Sequence, residues 1–73
     1  MPYTPSDLAL ADLNIMQAER NVAKQRATIK QLQERGVSAK QAELLLETFE
    51  ECVATLKAQR SHIAAQLERR RHA

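Results

Sequence analysis

Seventy-three residues with 3% aromatics, one glycine, two prolines and a net charge of +2 describe one small domain, 1–73, in which Ala, Leu, Gln, Glu, Lys and Arg dominate. A single cysteine, Cys52, excludes an intrachain disulfide, and no apolar run approaches membrane-spanning length. A lone thiol and a start lacking the basic and apolar regions of a signal peptide predict a soluble, cytoplasmic, all-α protein.

The first element is predicted over residues 5–35. Thr4 suits the N-cap, Pro5 the first helical position and Asp7 the third, with Ser6 as a rival cap. Tyr3 and Leu8 occupy the two positions of a hydrophobic staple. Within the helix, Leu8, Ile15, Val22 and Ile29 recur every seven residues, and Ala11, Ala18, Gln25 and Leu32 follow each by three. That is an a/d seam with large residues at a and mostly small ones at d.

The only glycine follows. Gly36 fits the left-handed position just past a helix end, which a Cβ would penalise. Val37 then falls where it can touch Leu32, and Ser38 with Gln41 three residues on reads as a capping box for a second helix. Val37 can also staple onto Ala42. Gly36, Val37 and Ser38 therefore predict a tight turn between antiparallel helices.

The second element is predicted over residues 39–70, with Ala42, Phe49, Leu56 and Ile63 on one heptad spacing and Leu45, Cys52, Gln59 and Gln66 on the other. Pairing outward from the turn matches Leu32 with Ala42, Ile29 with Leu45, Val22 with Cys52 and Ala11 with Ile63. Most layers then oppose a large side chain to a smaller or polar one. Gln25 and Gln59, on this seam, are expected to fix register or orientation. Charge agrees: residues 1–19 carry −3, 20–35 carry +4, 36–51 carry −3 and 52–73 carry +4. A fold at Gly36 sets opposite signs side by side, with acids at both helix starts and bases at both ends.

A second apolar stripe does not fit inside one hairpin. It comprises Leu46, Val53, Ala64 and Leu67, interrupted by Arg60, on the second helix, and Ala9, Leu13, Met16 and Ala23 on the first. Leu13, Met16, Leu46, Val53 and Leu67 are the expected oligomer or partner surface, and the economical cover is a second copy, giving a homodimeric four-helix bundle. Glutamate at Leu46 or Val53 is expected to dissociate that assembly.

Chemistry-bearing patterns are sparse. His62 and His72 lie ten residues apart, not at the three or four that would aim both at one metal. The glutamates Glu43, Glu47, Glu50 and Glu51 have no histidine three residues on, as a carboxylate-bridged metal pair requires, and read as a solvated face. No phosphate-binding loop or nucleophile motif occurs. Neither an enzyme nor a cofactor site is expected. Nucleic acid enters through two features: the basic cluster Arg69, Arg70 and Arg71, and a polar stripe on the first helix that includes Asn21 and Lys24. These five are the candidate RNA contacts, although helix-dipole complementarity and ordinary polar surface account for the same residues.

The hairpin size, heptads and large-on-small layering resemble the Rop family of RNA-binding plasmid regulators, which are homodimeric four-helix bundles. No Rop RNA-contact residue maps onto this sequence, so the resemblance implies architecture rather than activity. The segment from Ile29 to Gly36, with its L-x-x-x-G turn, and the run from Ala42 to Glu50, A-E-x-L-L-x-T-F-E, also resemble short bacterial hairpin proteins without an assigned function. The expected role is a non-enzymatic interaction or regulatory protein, a homodimer without membrane contact. A Rop-like RNA binder and a helical antagonist docking on a larger protein stand as alternatives.

Overall fold

The computed structural model describes residues 3–71, all helical apart from the ends and one turn. Helix α1 (Pro5–Glu34, 30 residues) and helix α2 (Lys40–Arg71, 32 residues) pack against each other as an antiparallel hairpin of 59 × 16 × 15 Å.

The start of α1 follows from three adjacent residues. The Asp7 backbone N–H donates to the Thr4 hydroxyl at 3.3 Å, and the Thr4 N–H donates to the Asp7 carboxylate at 2.8 Å. Pro5 contributes a preset φ at the first helical position. Thr4, rather than Ser6, is the cap.

The turn is a Schellman stop. Gly36 has φ +72°, the Val37 N–H donates to the Leu32 carbonyl at 3.0 Å, and the Gly36 N–H donates to that of Gln33 at 3.1 Å. Val37 itself stays 53% exposed and so does not bury itself as a two-sided staple. Ser38 also departs from expectation. Because α2 begins at Lys40, the Ser38 hydroxyl accepts from the Lys40 N–H at 3.4 Å, and Gln41 makes no return bond. The expected capping box does not form.

The seam on α1 lies where its heptads place it: Ile15, Ala18 and Ile29 are buried, and Leu8, Ala11, Val22, Gln25 and Leu32 half-buried. On α2 it is rotated from expectation. Leu45, Cys52 and Gln59 are exposed. The side chains flanking Ala42, Phe49, Leu56 and Ile63 are instead Ala39, which is buried, and Leu46, Val53, Arg60 and Leu67, all half-buried. The helix uses residues four after the first-set positions rather than three, except at its far end, where Gln66 is half-buried beside Leu67 as the heptads place it. The physical reason is side-chain content: over most of the helix that choice covers Leu46, Val53 and the stem of Arg60, whereas the other would bury Gln59. Cys52 accordingly lies outside the core.

Candidate interaction surface

Three ion pairs tie the helices along one edge of the seam. Arg60 donates to Asp12, Lys57 Nζ stands 3.8 Å from Glu19, and Arg26 donates to Glu50 at 3.1 Å. They level α1 against α2 and border an open groove floored by Val22, Ala23, Val53 and Ala54. A second groove on the hairpin is lined by Leu8, Ala64 and Leu67 near the chain ends. The side chains of these ion pairs are 42–62% exposed, so each pair contributes less than about 1 kcal/mol and serves register more than stability.

Other cross-helix contacts complete the frame. The half-buried Gln25 donates through Nε2 to the Ala42 carbonyl at 2.9 Å. The Tyr3 ring meets that of His62 edge-on with centroids 5.8 Å apart. Arg70 Nη1 donates to the Tyr3 carbonyl at 2.6 Å, tying the end of α2 to the residue before the α1 cap. Gln25 thus holds register as the heptads implied, while Gln59, exposed, does not sit on the seam.

The residues expected to form a partner surface divide into two groups. Leu46, Val53 and Leu67 lean into the hairpin and are half-buried by it. Leu13 and Met16 point away from α2, 60% and 50% exposed, with Leu10, 56% exposed, at the edge of that face. Leu10 and, on α2, Leu44 at 50% are exposed apolar residues that sequence reasoning missed. Leu10 lies outside the Ala9–Leu13–Met16 spacing and borders a groove shared with Leu56, Gln59 and Ile63 of α2.

The candidate RNA contacts are not brought together. Asn21 and Lys24 lie near the middle of α1, where the Asn21 carboxamide oxygen accepts from Gln17 at 3.4 Å. Arg69, Arg70 and Arg71 occupy the last turn of α2, more than 20 Å away along the hairpin at ~1.5 Å per residue. Arg70 is already engaged by Tyr3, and His72 lies outside the described residues.

Among the described residues no polar side chain is buried, no group of three metal-ligating side chains assembles, and no helix is long and apolar enough to cross a membrane. The surface is suited to helix-on-helix docking: long, ridged at three- and four-residue spacing, and apolar in its first half on α1. No protein-family model, curated protein or solved structure matches the chain.

Proposed function

We propose that this chain is a non-catalytic interaction module that works as a self-assembled helical bundle. The observation that carries the reading is surface area. The hairpin exposes 5748 Å², whereas a compact monomer of this mass exposes about 4,600 Å². The difference, roughly 1,100 Å², exceeds the ~800 Å² that each partner contributes to a standard protein interface. No side chain among the described residues falls below 2% exposure, because a layer one helix thick has no interior.

A second layer of helices supplies that interior most economically, and the apolar residues left exposed on α1, Leu10, Leu13 and Met16, mark where it docks. Leu13→Glu tests the reading without touching the seam. The variant keeps the helical circular dichroism of the wild type at high concentration but elutes at the mass of one chain. If it retains the wild-type mass, the surface is misplaced. A wild type that is itself monomeric points instead to a larger protein as the partner, and RNA binding that weakens steeply with salt points to the nucleic-acid alternative.

A further inference from the structure

Two outward faces of the hairpin have no partner within it, and they complement each other. The face of α1 turned from α2 carries Leu10, Leu13 and Met16, then the bases Arg20, Lys24 and Lys30, and ends on Glu34. The face of α2 turned from α1 carries Lys40, then Leu44, Glu47 and Glu51, with Glu43 at its edge, and then the small residues Ala58 and Ala65. All of these side chains are exposed, and the charged ones take part in none of the three ion pairs of the hairpin.

Those ion pairs set the heights. With Asp12 level with Arg60, Glu19 with Lys57 and Arg26 with Glu50, the leucines and methionine of α1 stand level with Ala58 and Ala65. Of the bases of α1, Lys24 and Lys30 stand level with Glu51 and Glu47 of α2, Arg20 stands level with Thr55, and Glu34 lies near Lys40. A second hairpin laid alongside in the same orientation, without sliding, therefore brings Leu13 and Met16 over alanines and Lys24 and Lys30 over Glu51 and Glu47.

The isolated hairpin also bears a cost that such docking removes. Glu43, Glu47 and Glu51 are spaced four apart, as are Arg20 and Lys24, and like charges at that spacing repel along one helix. A two-fold pairing of α1 with α1 leaves the acidic ladder unmatched and sets the basic stretch beside its own copy or beyond its end.

We propose, resting on the self-assembly reading above, that the occupant of the α1 face is the α2 face of a second copy: a head-to-tail contact rather than a two-fold dimer. Every copy then keeps one free face of each kind, so assembly grows with concentration or closes into a ring.

Complementation between two variants tests this. Leu13→Glu disables the α1 face and Ala58→Glu the α2 face, with Glu47→Lys as a second α2-face variant should Ala58→Glu lose its helical circular dichroism. By size exclusion with light scattering, each variant alone runs as one chain where the wild type assembles, and an equimolar mixture gives a pair at twice the chain mass and nothing larger. An α2-face variant that assembles like the wild type overturns the head-to-tail contact and leaves self-assembly standing. A mixture that stays monomeric also overturns the contact. A wild type monomeric at every concentration overturns both readings.

Discussion

Arg60 occupies a seam position of α2, yet its guanidinium leaves the seam to donate to the Asp12 carboxylate, 48 residues earlier in the chain. The aliphatic stem covers apolar surface while the charge stays at the edge, 42% exposed against 50% for Asp12. The pair levels the outer half of the hairpin, beyond which Arg70 ties the end of α2 to the Tyr3 carbonyl. Because it is wet, its deletion is mild: Asp12→Ala is expected to cost less than about 1 kcal/mol in urea denaturation. Arg60→Leu, which completes the Leu46–Val53–Leu67 row, is expected to equal or exceed wild-type stability. A loss above about 2 kcal/mol for Arg60→Leu would show the arginine to be a structural requirement of the seam.

The rotation of the α2 seam separates two adjacent leucines. Leu46→Ala removes a half-buried side chain and is expected to destabilise by about 2 kcal/mol, at the low end for such truncations because the site is not sealed. Leu45→Ala, at a position 45% exposed, is expected to cost under about 0.5 kcal/mol. Thermal melts of both at one protein concentration decide between the rows, and a reversed order would return the seam to Leu45 and Cys52.

At the turn, a Cβ on Gly36 meets nothing within 4 Å, so its cost is backbone conformation alone. Gly36→Ala is expected to lose about 1–2 kcal/mol, and Gly36→Asn less, since asparagine tolerates a positive φ better. Equal stability of the glycine and alanine forms would mean that the chain leaves α1 by another route.

The α1 cap has a local readout. Thr4→Ala deletes the hydroxyl that accepts from the Asp7 N–H and is expected to cost about 1 kcal/mol. Hydrogen exchange at Asp7 and Leu8 should rise while exchange at Ile15 is unchanged in the melted first turn's shadow. Uniform acceleration along α1 would mean that the cap supports the whole hairpin.

Much of this fold is legible in sequence because its devices are local. The lone glycine, the Thr4–Pro5–Asp7 start and the α1 heptads each act within a turn of helix, and their outcomes follow from residue type. The α2 seam was harder. Leu44, Leu45 and Leu46 form an unbroken apolar run, and offsets of three or four from Ala42 are both helical. What decides is the content of the whole row, readable in Gln59, and the buried Ala39, which only the second helix start reveals; at the far end Gln66 stays half-buried beside Leu67. The capping box failed for a similar reason: α2 begins at Lys40, one residue later than Ser38 and Gln41 require. The tie between Arg70 and the Tyr3 carbonyl joins a side chain to a backbone at the other end of the chain, and no local pattern encodes it.

The central claim is that one hairpin is completed by further copies of itself, and the mass of the wild-type chain in solution tests it most directly. Sedimentation equilibrium over a hundredfold dilution should give masses well above 8.3 kDa at the concentrated end, falling toward that value on dilution. A mass of one chain throughout would contradict the account.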